Sequence, residues 1–184
     1  LEFRRVLFRS DIQHKILGTT AHIIVQERMK ENMTDYDRLT DKIQTVPEVV
    51  AATPFVLRQV LLTTPSGVQG IVLRGIDPKR EANVTELGKN ITAGQLSDLL
   101  TPVKVMQAPA DDPQAEPRAV EKPGIILGKE LALRLGVFVG DTVNVVSPVG
   151  PISAMGMVPK IRTFAVVALF HSGMYEYDSS LAYI

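Results

Sequence analysis

The first regular pattern along the chain is helical. Between residues 36 and 46, apolar side chains recur at spacings of three, four and three, which places them on one face of a helix. Thr34 precedes this segment and has acidic residues after it, as is typical of a helix start. Pro47 follows the segment and predicts its end. We therefore expect one amphipathic helix between Thr34 and Pro47.

β-rich segments surround this helix. Residues 21–26 form a short apolar run, and residues 49–62 form a longer one that Pro54 interrupts. Residues 68–75 follow a Thr-Pro-Ser-Gly turn signal, so they can pair back on the preceding strand as a hairpin. Together these segments predict a β-α-β-β unit.

The middle of the chain has weaker patterns. Residues 94–100 read as a short amphipathic piece, and residues 101–123 contain five prolines and are predicted to form a loop. Residues 125–127 then predict a brief strand. The segment 128–135 predicts a helix that Gly136 stops.

The last third of the chain contains the strongest candidate for function. Two strand-like runs, 142–146 and 161–170, bracket a segment of residues 148–159, here called the arm. The arm is bounded by prolines, is largely apolar and has no charged residue. Because exposed apolar surface is costly in water, we expect the arm to have a partner. The candidate partner-binding residues are Pro148, Val149, Ile152, Met155, Met157, Val158, Pro159, Lys160 and Arg162.

Methionines and cations refine this interpretation. Met155 and Met157 alternate with small residues, and methionine suits surfaces that adapt to a partner. Lys160 and Arg162 alternate with Ile161, so on a strand they share a face and could orient an acidic partner. An arm that packs on its own domain or on a second copy, with these cations simply solvated, is the alternative.

The two ends of the chain look atypical. Residues 1–10, LEFRRVLFRS, back-translate into a common sequencing-library adapter, and we treat them as an artefact outside the fold. The strand-like residues 180–184 end the sequence abruptly. We therefore expect the chain to be an internal fragment of a longer protein.

Composition excludes several classes of protein. Without residues 1–10 the chain has 17 Lys and Arg against 19 Asp and Glu, so it lacks the basic field that general nucleic-acid binding requires. Cysteine is absent, which excludes disulfides and cysteine-based metal sites or nucleophiles. No apolar run reaches the roughly 18–20 residues that span a bilayer.

Catalytic motifs are weak or incomplete. Gly128-Lys129 opens a helix after a strand, but Glu130 stands where a phosphate loop needs Ser or Thr. His171 is followed by Ser172 and, seven residues on, by Asp178, but the G-x-S-x-G pattern of a nucleophile elbow is missing. The sequence therefore predicts no enzyme activity, no cofactor and no metal site.

Several segments resemble a known family. Residues 11–25, Gly-Ile-Asp-Pro at 75–78, GIILGKELALRLG at 124–136 and FHSGMYEYDSSLAYI at 170–184 are similar to the periplasmic region of lipoprotein-releasing permeases of the LolC/LolE type. The wider group includes MacB-like proteins with the same periplasmic core. The resemblance covers nearly all of residues 11–184.

The resemblance implies a fold and a division into subdomains. It implies an α+β fold with mixed β-sheets, few helices and two subdomains. Residues 11–75 would form the first half of a membrane-proximal subdomain, with its β-α-β-β unit. Residues 76–170 would form an inserted subdomain carrying a long hairpin at 147–160, and residues 171–184 would return to the first subdomain.

The resemblance also implies partners. The chain would be the periplasmic domain of a Gram-negative inner-membrane ABC transporter permease, with ATP hydrolysed by a separate cytoplasmic subunit and a second permease subunit beside it. In the LolC type, a proline-bounded hook recruits a periplasmic lipoprotein carrier, and residues 149–158 would be that hook, with Arg162 and Lys160 as the basic pad at its base. In the LolE type the region serves the lipoprotein substrate instead. Here Gly150-Pro151 departs from the best-known hook pattern.

Two functions thus stand open from the sequence. The first is lipoprotein release with handover to a carrier at the arm. The alternative is a MacB-like periplasmic domain that binds an adaptor protein in an efflux or mechanotransmission transporter.

Overall fold

The computed structural model describes residues 20–26, 33–107, 116, 118–147, 152–153, 156–157 and 159–184. The helices in this part are α1 (Tyr36–Gln44), α2 (Pro78–Glu81), α3 (Lys129–Leu135) and α4 (Tyr175–Ser180), with a 3-10 helix at Leu96–Leu100. The strands are β1 (Phe55–Thr64), β2 (Gly67–Ile76), β3 (Ile91–Ala93), β4 (Val103–Gln107), β5 (Arg118–Lys122), β6 (Gly124–Gly128), β7 (Thr142–Ser147), β8 (Ile152–Ser153), β9 (Gly156–Met157), β10 (Lys160–Phe170) and β11 (Leu181–Tyr183).

Six of the strands form a closed sheet. Their order is β10-β6-β11-β2-β1-β7, and β7 pairs again with β10. β10–β6 and β11–β2 are parallel pairs and the other four pairs are antiparallel. β3 joins the edge of β10 beyond β7. The predicted α+β fold with mixed sheets and few helices is confirmed.

The inner face of the closed sheet holds one core. Val60, Ile71, Leu127 and Val143 are among the buried side chains there, each from a different strand. Helix α3 adds Leu131, Ala132 and Leu135 to the same cluster. Gly136 ends α3 in the left-handed conformation with φ of 63°, which glycine adopts without the steric cost of a Cβ.

The outer face carries a second core. Ile126, Phe170, Leu181 and Tyr183 are buried there, with the Phe170 and Tyr183 rings edge to face at 5.2 Å between centroids. Leu96 and Leu99 of the 3-10 helix pack against this cluster. The predicted short amphipathic piece at 94–100 is thus a helix that covers the sheet.

A buried ion pair lies beside the outer core. Arg74 Nη2 is 3.3 Å from Glu81 Oε1, and Thr85 Oγ1 donates to the same oxygen at 3.1 Å. Burial raises the pKa of Glu81, and the nearby Arg74 guanidinium opposes that rise. The guanidinium carbon also lies 4.8 Å from the centroid of the Phe55 ring. This pair therefore links β2 to α2 and to the start of β1.

Strong local patterns predict the elements well. The helix predicted between Thr34 and Pro47 is α1, although it ends at Gln44 and leaves Val46 half-exposed beyond it. The predicted hairpin is β1–β2, joined by a turn at residues 65–66. Pro54 lies directly before β1 rather than inside it, because proline cannot donate to a ladder.

Two weaker predictions are wrong. Residues 21–26 form no strand, since none of the strands in the described part of the chain pairs with them. The loop expected at 101–123 contains β4 and β5, which pair antiparallel from Val103 opposite Lys122 to Gln107 opposite Arg118. All five prolines that predicted a loop lie outside these two strands.

The closed sheet contains strands from both predicted subdomains. β1 and β2 lie within residues 11–75, apart from the last residue of β2, whereas β6, β7 and β10 lie within 76–170. The division into subdomains at residue 75 stays a prediction. In the described part of the chain, no helix is both long and apolar enough to cross a membrane.

Candidate partner-binding site

The arm grows out of the closed sheet between β7 and β10. These strands pair antiparallel, with Ser147 opposite Lys160 at the base of the arm and Thr142 opposite Ala165 at the far end. The hairpin therefore has a root six residue pairs long. Because β7 also pairs with β1, the root is held on both sides of β7.

Hydrogen bonds fix the inner end of this root. Gly140 N donates to Val166 O at 2.8 Å, and Val166 N donates to Asp141 O at 2.8 Å. The Asp141 carboxylate accepts from Phe138 N at 2.8 Å and so closes the loop before β7. Thr163 Oγ1 donates to Asn144 Oδ1 at 2.8 Å across the two strands. The arm is thus attached to a rigid support.

Exposure changes abruptly along β10. Residues 160–162 are exposed, Thr163 is half-buried, and residues 164–168 are buried. Lys160 and Arg162 lie on the same face of the strand, as predicted, and Ile161 lies on the other. The guanidinium carbon of Arg162 is 5.7 Å from the centroid of the Phe164 ring, which places it over an aromatic face.

The arm itself is described in part. Ile152 pairs with Met157 and Ser153 pairs with Gly156, so β8 and β9 form a small antiparallel ladder. Pro159 is exposed where the chain re-enters β10. Other candidate residues of the arm lie outside the described residues: Pro148, Val149, Met155 and Val158.

A wide groove borders this site. Its volume is about 1570 Å³, and its walls include α1, the segment before β1 and the start of β10. Arg162 and Phe164 line it on one side and Arg58 of β1 lines it as well. Sequence reasoning missed Arg58, because residue 58 reaches the site only through the pairing of β1 with β7.

The glycine before α3 has a structural role. A Cβ on Gly128 would lie 2.1 Å from the carbonyl oxygen of Asp178, so a side chain cannot fit where α4 crosses β6. The helix that follows has seven residues. Close packing of two backbones accounts for the glycine that superficially suggested a phosphate loop.

His171, Ser172 and Asp178 do meet, but in a structural arrangement. Asp178 is 1% exposed, and its Oδ1 accepts from Ser172 N at 2.7 Å and from Ser172 Oγ at 2.8 Å. His171 Nδ1 lies 2.7 Å from Asp178 Oδ2. A catalytic triad would bond the serine to the histidine, whereas here the serine bonds to the carboxylate and the histidine lies beside the other carboxylate oxygen. The cluster therefore braces the turn between β10 and α4.

Metal binding has no support in the described residues, where no group of three His, Asp or Glu side chains is placed to hold an ion. The features left for function are the arm, the cations at its base and the groove beside them.

Comparison with known proteins points to one family. No protein-family model matches the chain. The chain is 32% identical over 178 residues to the "Lipoprotein-releasing system transmembrane protein LolC" of Neisseria meningitidis serogroup B, covering 95% of this chain and 37% of that protein. Proteins with the same name from two strains of Xylella fastidiosa are 31% identical over 180 residues, covering 96% of this chain and 38% of theirs. The resemblance to the LolC/LolE type is thereby confirmed, for a chain that spans under two fifths of these relatives.

Proposed function

We propose that this chain, as a relative of the LolC proteins, is the periplasmic part of an ABC transporter permease that releases lipoproteins from the inner membrane. The arm would bind a periplasmic carrier, and the released lipoprotein would pass to that bound carrier. The observation that supports this role is the change of exposure along β10. One end of the strand is buried in the core, and the other end is exposed at the base of an uncharged, apolar arm.

The arm would supply affinity and the cations would supply orientation. Burying apolar surface stabilises a complex by roughly 25 cal/mol per Å². Lys160 and Arg162 are exposed at the arm's base, and in the described part of the chain neither lies within ion-pair distance of an acidic group. They are therefore available to pair with acidic groups of a partner. The carrier would then be held by charge pairing as well as by apolar contact.

ATP hydrolysis belongs to a separate cytoplasmic subunit in this proposal. The periplasmic domain would move in response to that subunit and to a second permease subunit, and it would perform no chemistry itself. The serine-histidine-aspartate cluster fits this role, because its hydroxyl and imidazole both serve the Asp178 carboxylate. The names of the relatives support the lipoprotein-releasing function over the MacB-like alternative.

A charged substitution at the arm tests the proposal. Met155→Asp should abolish pull-down of a purified periplasmic lipoprotein carrier by the full-length permease, because it places a charge in the apolar contact. Met106→Asp is the matched control, since Met106 is 69% exposed on β4 and far from the arm in sequence. Circular dichroism of both variants checks that the domain stays folded. Carrier binding by Met155→Asp at the wild-type level would overturn the proposal.

A further inference from the structure

Helix α1 has an apolar face that is packed in neither core. Tyr36, Leu39 and Ile43 recur at the spacing of one helical face, but in the described part of the chain they belong to neither the inner nor the outer core. Tyr36 is 48% exposed, while Leu39 and Ile43 are half-buried. The buried residue of the helix, Thr40, donates its hydroxyl to Tyr36 O within the same helix. The apolar face therefore lacks a packed partner in this arrangement.

This face borders the wide groove beside the base of the arm. Tyr36, Leu39 and Ile43 line the groove from α1. The other wall includes the end of the closed sheet where β1 begins and where β2 and β11 end, and its apolar side chains are Phe55, Ile76, Phe164 and Ile184. In that wall Ile76 N donates to Ile184 O at 2.9 Å, so the backbone there is held by the sheet. Two apolar walls, one on α1 and one on the sheet, thus line the same open groove.

An arginine on α2 holds α1 by contacts that are all long. Arg80 Nη1 is 3.9 Å from Asp37 Oδ1 and Nη2 is 3.8 Å from Asp41 Oδ1, both on α1, while Nε is 3.6 Å from Asp77 Oδ2. Hydrogen bonds between a guanidinium and a carboxylate are about 2.7–2.9 Å long. Nη1 is buried and has no hydrogen-bond partner. An approach of about 1 Å by α1 would turn both of its contacts into hydrogen bonds. We call Arg80 with Asp37 and Asp41 the clasp.

The connection from α1 to the sheet contains a strained residue. Residues 45–54 lead from α1 to β1 and form neither helix nor strand. Glu48 in this segment has φ of 71°, and among the described residues it is the one non-glycine residue with a positive φ. Strained backbone of this kind concentrates in switch regions, and hinges are a few loop residues that absorb large changes of φ and ψ. Glu48 is therefore placed to act as a hinge for α1.

From these observations we propose that α1 is a lid that turns about Glu48 and closes on the end of the sheet. Closure buries the apolar face of α1 against Phe55 and Ile184, and it brings the two aspartates of α1 within hydrogen-bond distance of Arg80. A single movement thereby covers the unpacked face and pairs the buried Nη1. The groove is open in one arrangement and filled by α1 in the other. This inference goes beyond the proposed function and does not depend on carrier binding.

The distance between α1 and the rest of the domain tests the lid. Spin labels are placed at Lys42→Cys on α1 and Lys129→Cys on α3, both exposed, in the full-length permease complex in nanodiscs after replacement of any native cysteines. Pulsed electron paramagnetic resonance should give two distances, the shorter one for the closed lid. Arg80→Gln should lower the ratio of the shorter to the longer distance about threefold or more, because it removes the clasp. Lys79→Gln removes an exposed charge from the same helix, and as the matched control it should leave the ratio unchanged.

A second pair of variants tests the clasp from the α1 side. Asp41→Asn should lower the ratio as Arg80→Gln does. Asp35→Asn is the matched control, because Asp35 is also exposed but lies 3.9 Å from Arg38 rather than near Arg80. Circular dichroism checks that each variant is folded, and if one clasp variant does not fold, the other decides.

The outcomes are distinct. Two distances whose ratio changes in the clasp variants alone support the lid, as does a single wild-type distance to which the clasp variants add a longer one. A single distance that no variant changes means that α1 is fixed or that another part of the full-length protein fills the groove, and it overturns the inference. An unchanged ratio in both clasp variants, or an equal change in the controls, overturns it as well.

Discussion

The two halves of β10 share one backbone conformation but have different neighbours. Between Phe164 and Phe170 the strand leaves β7 after Ala165 and pairs with β6, with β3 on its other side at Leu169 and Phe170, and nearly every side chain is buried. From Lys160 to Thr163 it pairs with β7 alone, and its side chains are largely exposed. One strand therefore anchors the fold at one end and presents a surface at the other. The difference shows that the root of the arm reaches into the core through Val143, Val145 and Phe164, while the base of the arm at residues 160–162 is exposed.

The largest expected effect is a difference in unfolding free energy between substitutions in the two halves of β10. Phe170→Ala should lower the free energy of unfolding by about 3–5 kcal/mol, because it removes a ring that is 1% exposed and contacts Tyr183. Ile161→Ala, on the same strand, should cost less than about 0.5 kcal/mol. Denaturant unfolding of both variants measures the difference. Similar losses would show that the exposed half is also part of the cooperative core.

A smaller effect is expected at the turn that follows β10. Asp178→Ala should lower the free energy of unfolding by about 1–3 kcal/mol, since the half-buried Ser172 N–H loses its acceptor. Carrier binding should be unchanged, because this turn lies at the anchored end of the strand. Glu176→Ala, on the same helix but exposed, is the control. Loss of carrier binding by the folded Asp178→Ala variant would contradict the separation of the two halves.

The smallest expected effect is a pH dependence of the unfolding free energy, caused by Glu81 beside the outer core. Burial raises the pKa of Glu81 above its ordinary value of 4.5, so the folded state binds this proton more tightly than the unfolded state. The Glu81 contribution to stability is therefore fully present below pH 4.5 and is lost as pH rises through the folded-state pKa.

Glu81→Gln should remove this pH dependence, and exposed Glu86→Gln should not. Denaturant unfolding from pH 4 upward measures the difference in unfolding free energy between wild type and each variant. A wild-type advantage over Glu81→Gln that grows with pH would instead mean that Arg74 dominates the carboxylate.

Local signals in the sequence account for much of the fold. The β1–β2 hairpin follows from two β-rich runs around one turn, and α3 follows from an apolar helical face that ends at Gly136. These patterns are decided by residues near each other along the chain. α4 was missed because residues 175–178 alternate aromatic and acidic side chains, and its packing depends on Gly128 of a distant strand.

The candidate site was predictable in part for the same reason. The composition of the arm and the shared face of Lys160 and Arg162 can be read along one segment. Arg58 could not be read in this way, because it reaches the site through the pairing of β1 with β7. The sequence offers no local signal for that pairing.

The sequence by itself determined the presence of the hairpin, its uncharged arm, the β1–β2 hairpin and helices α1 and α3, since each depends on side-chain periodicity and turn residues within a short span. Only the tertiary structure decided that the sheet closes on itself and that α1 lines a groove beside the base of the arm. Sheet closure and register are fixed by burial of the inner face across strands far apart in the chain. A one-residue shift would expose that core, so packing rather than local preference selects the surface that the partner would meet.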